Sequence, residues 1–188
     1  MATTRLIEYV NRNCERELNE VRNSPIAELD SNLTVEERTL IYKYTEDGFE
    51  YLNETLRLSA GKQYTEFGEF LDKTLSKLAN YEDILYRSAN LTTFEIQKYL
   101  DGYQNNGILV EHSFVSTSKS KAIAYGFGKN CHFRILSRSG KNIEAFAKYG
   151  LHHSQNEKEV LFRPNCKFRV LEITKSGTAT LITLEELR

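Results

Sequence analysis

The stretch QNEKEVLFRPNCKFRVLEI, from Gln155 to Ile173, decides the fold of the second half of the chain. It contains two apolar runs, EVLF and CKFRVLEI, whose β-branched and aromatic residues are typical of β-strands. Two glutamates, Glu157 and Glu159, stand at the start of the first run with one lysine between them. If that run is a strand, residues two apart face the same side, so the two carboxylates are expected side by side despite their mutual repulsion.

Four other segments in the second half have the same β-prone composition. Each lies between Gly, Asn, Ser or Pro residues, which favours a strand bounded by turns. The segments are YEDILYRS (residues 81–88), GILVEHSFVSTS (107–118), NCHFRILS (130–137) and TATLITL (178–184). Between the first two, Thr92 and Glu95 have the spacing of a capping box, which predicts a short helix.

The first part of the chain instead shows helical periodicity. Residues 4–22 read as one amphipathic helix, Thr34 and Glu37 form a capping-box pair that predicts a second helix, and Gly48 marks a break before a third. A fourth apolar face contains Phe67, Phe70, Leu71, Leu75 and Leu78. Helices followed by strands favour an α+β fold, so we expect one domain over 1–188, with a helical part at 1–80 and a β-rich part at 81–188.

Composition narrows the class of protein. The 188 residues have a net charge of -1 and a sequence pI near 6.5, so no overall basic field favours nucleic acid or an anionic membrane as partner. The apolar runs are too short to span a bilayer and the N-terminus is too charged for a signal peptide, which predicts a soluble, cytosolic chain. Cys14, Cys131 and Cys166 are widely spaced, and we expect ordinary buried thiols rather than disulfides or a zinc site.

Three features of the strand half are candidates for a site, and each also has an ordinary explanation. The glutamate pair could face solvent on an edge strand and discourage aggregation. Arg87 ends an apolar strand, where an arginine often extends into solvent. The hydroxyls of Ser116, Thr117 and Ser118 could cap the helix that follows them.

In their order along the chain, these features resemble a known family. Arg87 after an apolar strand, the aromatic-x-Ser-Thr-Ser element ending at Ser118, and Glu157-x-Glu159 opening an apolar strand are similar to the Arg-Ser-Glu class of mono-ADP-ribosyltransferases, arginine-specific and akin to bacterial toxins and effectors. LIYKYTEDGFEYLNETLR (40–57) is similar to a helix of that family. The resemblance implies two packed, mostly antiparallel β-sheets that form an NAD cleft, with N-terminal helices.

The resemblance also implies roles for the catalytic residues. Glu159 would accept a hydrogen bond from the nicotinamide ribose and stabilise the cationic transition state of glycosidic bond cleavage. Glu157 would face the acceptor, orient its guanidinium and take up its proton. Ser116 would hydrogen-bond and orient Glu159.

Further residues would bind the cofactor. Arg87 would hold NAD through its planar fork of donors, and Ser88 stands beside it where many members have glycine or a second arginine. Thr117 and Ser118 would brace the site. Phe127 would pack on the nicotinamide ring, unless it is a core residue, and Asn53 would lie near the nucleotide, unless it is a solvated residue on a helix surface.

The resemblance implies that AKYGLHHSQN (147–156) recognises a protein target. Members that modify arginine have Glu-x-Glu, whereas those that modify asparagine have Gln-x-Glu, so Glu157 favours arginine. Many members have an aromatic residue where this chain has Ser154, and Tyr149, His152 or His153 are the candidate substitutes. His152 and His153 make a poor metal pair, because neighbours on a strand face opposite ways.

The partners implied are NAD, as a substrate, and a target protein, for which actin and small GTPases are the candidates. We expect no metal, no nucleic acid, no membrane partner and a monomer. A second interpretation is a catalytically silent binding module on the same scaffold. A third, a glycosidase, is disfavoured because the chain has no tryptophan for sugar stacking and both acids are expected on one strand, whereas opposed acids normally flank the scissile bond.

Overall fold

The computed structural model describes residues 3–29 and 31–188; Met1, Ala2 and Asp30 lie outside them. The chain divides into two compact units. A helical unit comprises Met1–Ala79 and Asn142–Asn156, and a strand unit comprises Asn80–Lys141 and Glu157–Arg188. None of the helices in the described residues has the length and apolarity needed to cross a membrane.

The described part of the helical unit has five α-helices where the sequence predicted four. They are α1 (Thr4–Asn13), α2 (Glu15–Arg22), α3 (Val35–Lys43), α4 (Phe49–Leu58) and α5 (Glu66–Ser76). A 3-10 turn (Pro25–Glu28) precedes α3, and a π-helical turn (Tyr44–Gly48) joins α3 to α4. The capping box predicted at Thr34 and Glu37 is confirmed, because each side chain accepts a hydrogen bond from the backbone of the other residue.

The prediction of one continuous helix over 4–22 is wrong at Cys14. This residue has φ -137° and ψ 29°, so it ends α1 and begins α2. The apolar stripe nevertheless continues across the break, since Val10, Cys14 and Leu18 are all buried. Hydrophobic periodicity indicates which side chains are buried. It does not reveal a local change of backbone angles that leaves the apolar residues on the same side.

The strand unit has nine strands and two helices in its described residues. In chain order they are β1 (Asn80–Tyr81), β2 (Ile84–Ala89), α6 (Thr93–Gln104), β3 (Ile108–Glu111), β4 (Val115–Ser118), α7 (Lys121–Ala124), β5 (Cys131–Leu136), β6 (Gly140–Asn142), β7 (Glu159–Phe162), β8 (Cys166–Ser176) and β9 (Ala179–Leu187). The order across the sheet is β1-β6-β7-β4-β2-β5-β9-β8-β3. Six strand pairs are antiparallel, and β5 pairs with β9 in parallel. The predicted capping box at Thr92 and Glu95 is confirmed at the start of α6.

The α+β class and mostly antiparallel pairing are confirmed, and one detail of the expected two-sheet arrangement is corrected. Hydrogen bonding joins all nine strands into one sheet, but β2 and β4 are linked through a single residue pair, Tyr86 and Ser118. The link divides the sheet into a four-stranded half, β1-β6-β7-β4, and a five-stranded half, β2-β5-β9-β8-β3. Side chains from both halves share one core, where Phe162 of β7 packs edge-on against Phe168 of β8 at 5.4 Å.

Two other predictions require correction. GILVEHSFVSTS is not one strand: β3 pairs with β8 at the edge of the sheet, whereas β4 lies between β2 and β7. Both pieces are β-prone, so composition could not reveal the bend at His112–Phe114 that separates them. All three cysteines are free; Cys14 and Cys131 are buried as predicted, while Cys166 is half-buried.

Candidate active site

Arg87 lies near the end of β2, opposite Phe133 of β5. Its guanidinium donates a hydrogen bond to the backbone carbonyl of Ser116 at 2.7 Å. Direct pairing between β2 and β4 has ended at Tyr86, so a side chain rather than the sheet ladder connects the two strands at this level. Next to the single residue pair, β2 and β4 are therefore joined by the side chain of Arg87.

Glu159 is the first residue of β7 and is only 6% exposed. Its cross-strand partner is Ser118, which places it diagonally across from Ser116. Burial raises the pKa of Glu159 to about 7, and the negative charge of Glu157 acts in the same direction. A hydrogen bond from Ser116 and the charge of Arg87 oppose that rise in pKa. The sequence-predicted residues Arg87, Ser116, Glu157 and Glu159 thus interact with one another.

Glu157 precedes β7 and does not lie on the strand, so the prediction of both glutamates on one strand is wrong. Lys158 between them has φ 53°, a left-handed conformation that breaks the alternation of an extended chain. Glu157 is half-buried, and this burial raises the pKa of its carboxyl. The two carboxyl groups still interact electrostatically, because the negative charge of Glu157 raises the pKa of Glu159.

Thr117 and Ser118 use their hydroxyls on the backbone of the segment that carries the glutamates. Thr117 donates to the carbonyl of Val160 at 2.6 Å, and Ser118 donates to the carbonyl of Glu157 at 2.7 Å. The amide of Lys119 donates to the carbonyl of Lys158 at 3.1 Å. These bonds fix the turn through Lys158 against the end of β4, which fits the predicted bracing role.

Ser88 points to the face of the sheet opposite Arg87, because successive residues of a strand alternate. Its hydroxyl hydrogen-bonds Nδ1 of His132 at 2.6 Å, and the His132 ring stacks on Tyr125 at 4.0 Å between ring centroids. Sequence reasoning missed His132 and Tyr125. No local pattern in the sequence indicates His132, because its contact with Ser88 depends on the pairing of β2 with β5.

Phe127 lies in the loop after α7 and is 61% exposed. The alternative interpretation of Phe127 as a core residue is therefore wrong. An exposed aromatic ring between Gly126 and Gly128 is available to a ligand, which is consistent with the role implied by the resemblance.

Asn53 belongs to the helical unit, and the structure does not leave it solvated. It is buried in α4 and its amide donates to the Tyr44 hydroxyl at 3.1 Å. This contact explains a polar residue on the inner face of α4. Proximity of Asn53 to a nucleotide stays a prediction.

The segment AKYGLHHSQN (147–156) belongs to the helical unit and is ordered by contacts between its own residues. Tyr149 and His153 pack edge to face at 5.0 Å, and Nδ1 of His153 accepts a hydrogen bond from the Gln155 amide. Leu151 and His152 are exposed. Of the candidate substitutes for an aromatic at Ser154, Tyr149 and His153 are thus engaged with each other, and His152 is free to meet a partner.

Comparison with known proteins identifies the family. The model of the ADP-ribosyltransferase exoenzyme family matches residues 19–187, nearly the whole chain. The chain belongs to this family. The resemblance expected from Arg87, Ser116 and the glutamate pair is therefore confirmed at the level of the family.

Two relatives and one solved structure illustrate the likeness. Mav of Mycobacterium avium (strain 104) is 31% identical over 155 residues, which is 80% of this chain and 17% of Mav. Tre1 of Serratia proteamaculans (strain 568), named an NAD(+)–protein-arginine ADP-ribosyltransferase, is 30% identical over 163 residues, 85% of this chain and 34% of Tre1. The ADP-ribosyltransferase Vis of Vibrio splendidus, solved with agmatine, has a TM-score of 0.69 at 23% identity, with 100% of this chain and 87% of Vis covered. The chain thus spans only a small part of Mav and about a third of Tre1.

Proposed function

We propose that this chain transfers ADP-ribose from NAD to an arginine side chain of a target protein and releases nicotinamide. The observation that carries the proposal is Glu159, a buried carboxyl with a pKa near 7 that is held by Ser116 and lies within the field of Arg87. A buried acid with two tuning partners is costly to maintain for stability alone, and such perturbed groups concentrate at functional sites. The relatives named above belong to the same class of enzyme.

The first chemical step is cleavage of the bond between nicotinamide and ribose. The bond breaks with its electron pair leaving on the nicotinamide nitrogen, and positive charge develops on the ribose. The Glu159 carboxylate accepts a hydrogen bond from a hydroxyl of that ribose and stabilises the developing cation. Because Glu159 is shielded from water, its charge acts through a low dielectric.

Arg87 binds the diphosphate or ribose oxygens of NAD while its contact with the Ser116 carbonyl holds the guanidinium in place. Phe127 offers its exposed ring to the nicotinamide. Asn53 is proposed to contribute on the nucleotide side. Ser116 orients Glu159, and Thr117 and Ser118 fix the glutamate segment through its backbone.

Glu157 serves the acceptor. Its half-buried carboxyl has a raised pKa, which suits a group that pairs with a guanidinium and then takes its proton as nitrogen attacks the ribose. Agmatine, the ligand of the related Vis structure, has a guanidinium group, which supports arginine as the acceptor. A metal has no role in this sequence of steps.

We further propose that both units form one ADP-ribosyltransferase domain, since the family match covers residues of both. The domain is proposed to act as a monomer on a protein in the cytosol of a target cell. Actin and small GTPases are the first candidate targets, with neither nucleic acid nor membrane as partner.

The test uses labelled NAD with a eukaryotic or bacterial lysate, and it reads nicotinamide release and protein labelling separately. Glu159→Gln is expected to lower nicotinamide release about 100- to 1000-fold, as for loss of one preorganised charge-stabilising group. Glu157→Gln is expected to lose protein labelling and keep part of the NAD hydrolysis. Glu172→Gln, an exposed glutamate of β8, is the matched control and is expected to behave as wild type.

Absence of nicotinamide release from the wild-type protein would overturn the enzyme proposal and favour a silent binding module. Equal loss of labelling and hydrolysis in Glu157→Gln would instead overturn the assignment of Glu157 to the acceptor.

A further inference from the structure

The loop that carries Phe127 is short, rich in glycine and exposed at its tip. We name residues 125–130 the Phe127 loop. Gly126 and Gly128 flank the aromatic ring, and glycine gives a backbone more conformational freedom than any other residue. If the loop were mobile, the entropy lost when it became ordered would offset much of the stacking energy between Phe127 and a ligand. The contacts that attach the loop therefore determine how strongly Phe127 can contribute to binding.

The first attachment is at Tyr125. Its ring stacks on His132 of β5 with 4.0 Å between centroids and 13° between planes. Nζ of Lys121, one helical turn earlier, lies 5.2 Å from the centre of the Tyr125 ring. The start of the Phe127 loop is therefore attached to β5 by a stacked aromatic pair.

The His132 ring is fixed in turn by Ser88. The two residues are direct partners across β2 and β5, and Ser88 Oγ lies 2.6 Å from His132 Nδ1. Ser88 is buried and His132 is half-buried, so this hydrogen bond is partly shielded from water. We call Tyr125, His132 and Ser88 the His132 stack.

The second attachment is at the far end of the Phe127 loop. A Cβ on Gly128 would lie 2.5 Å from the backbone nitrogen of Ala89, so only glycine allows this close approach. The Lys129 amide donates to the Asn90 side chain at 3.0 Å, and Asn130 exchanges two hydrogen bonds with the backbone of Leu91 at 2.9 and 2.8 Å. The far end of the loop is thus attached directly to the end of β2 and the residues just after it. The near end is attached to His132 of β5, which in turn bonds Ser88, the neighbour of Arg87.

We infer that the His132 stack is a positioning unit, in which His132 and Ser88 set the place of the Phe127 ring relative to Arg87 and so determine how well the nicotinamide end of NAD is held. This inference rests on the proposed function for its ligand. Ser88 faces the other side of β2 from Arg87 and hydrogen-bonds His132, so we assign its contribution to NAD binding to the positioning of His132 and Tyr125. Because the unit acts through Phe127, the effects of substitutions at His132 and at Phe127 on KM for NAD are expected not to be independent.

The experiment is a double-mutant cycle between His132→Ala and Phe127→Ala, read as KM for NAD and kcat for nicotinamide release. Each single variant is expected to raise KM about fivefold, the equivalent of one aromatic contact, with a smaller change in kcat. If His132 acts through Phe127, the double variant stays at about fivefold. Independent effects would multiply to about 25-fold, which is what a general structural role of His132 predicts.

Two variants sharpen the cycle. His132→Phe keeps a ring under Tyr125 but cannot bond Ser88, so it is expected to recover only part of the loss, with KM about two- to threefold above wild type. Arg134→Ala, exposed on the same strand two residues away, is the matched control and is expected to leave KM and kcat unchanged. Failure of His132→Phe to improve on His132→Ala would overturn the role of stacking.

Hydrogen exchange separates this inference from the proposed function. In His132→Ala, the amides of residues 125–130 are expected to exchange about tenfold faster than in wild type, while those of β7 do not change. Unchanged exchange in the Phe127 loop overturns the inference whatever the activity. Nicotinamide release by wild type together with multiplying effects in the cycle overturns the inference and leaves the proposed function standing. No release by wild type overturns the proposed function and with it NAD as the ligand, while the exchange rates still decide whether His132 holds the Phe127 loop.

Discussion

Glu159 meets two opposing demands. It is buried, which favours the neutral acid, and the proposed reaction needs the carboxylate beside a developing cation. Ser116 and Arg87 favour the charged form, Glu157 disfavours it, and the balance holds the pKa near 7. The charge of this one residue is therefore set by neighbours on three separate segments of the chain, and each neighbour can be changed separately.

The rate of nicotinamide release is expected to follow the ionisation of Glu159. Because the carboxylate is the active form, kcat/KM for NAD should rise with pH up to about 7 and fall about tenfold per unit well below it. Ser116→Ala removes a group that lowers the pKa, so it should move the midpoint up; Glu157→Gln removes a group that raises the pKa, so it should move the midpoint down. The measurement is nicotinamide release without protein acceptor between about pH 5.5 and 8.5.

In that series, Glu172→Gln should leave the midpoint where it is in wild type, since this glutamate is exposed on β8. A flat profile, or a shift in the same direction in both variants, would show that Glu159 does not control the step.

Among the structural elements, the turn that precedes β7 is the one most closely tied to function. Lys158 holds a left-handed conformation with φ 53°, and its carbonyl accepts from Lys119 while that of Glu157 accepts from Ser118. The turn separates the two glutamates, so Glu159 is in the sheet and Glu157 is outside it. Their different surroundings follow from one backbone torsion.

Substitutions at Lys158 test whether the positive φ of this residue is needed for protein labelling. Lys158→Gly is expected to keep nicotinamide release and protein labelling, because glycine adopts positive φ without strain. Lys158→Val is expected to cost about 1–3 kcal/mol of strain and to lower protein labelling more than nicotinamide release, since the displaced residue is Glu157. Thermal unfolding and the two activity assays measure these effects. The proposal for the turn would be untenable if the valine variant labelled protein as well as the glycine variant does.

Sequence patterns predicted elements where the signal is local. The capping boxes at Thr34 and Thr92 are both present, because their bonds join residues only three apart. Patterns did not show the end of α1 at Cys14, the bend inside 107–118 or the left-handed Lys158, because the same side-chain burial or composition fits a continuous element. Likewise, the order Arg87, Ser116, Glu159 was readable, whereas the hydrogen bond of Ser88 depends on the pairing of β2 with β5.

At the scale of the whole molecule, the two units contribute different parts of the chain around the glutamates. Residues 142–156 belong to the helical unit, and the chain enters the strand unit at Glu157. Within the helical unit, Lys148 anchors this segment: its ammonium pairs with Glu46, and its amide donates to Thr45 at 2.9 Å. Glu46 also pairs with Arg16, so the anchor belongs to a network with partly shielded charges, which contributes more than an isolated surface pair.

The anchored segment ends in exposed residues. Leu151 is 55% exposed and His152 is also exposed, just before the glutamate proposed to face the acceptor. An exposed apolar side chain on a segment that is fixed by the contacts of Lys148 is suited to contact with a protein surface. The segment is therefore expected to govern the choice of protein target and to be dispensable for the chemistry on NAD.

The double substitution Leu151→Ala with His152→Ala should separate these two activities. Labelling of a protein target is expected to fall at least about tenfold, the scale of one lost anchor residue at an interface, because a large target must be held by its surface. Nicotinamide release without acceptor and labelling of agmatine, which is too small to contact a distant surface, should stay near wild type. Phe94→Ala, an 85% exposed aromatic residue of the strand unit, is the matched control and should alter none of the three rates. If labelling of agmatine and protein fell together, the segment would be acting on the acceptor chemistry through Glu157 and not on recognition of the target.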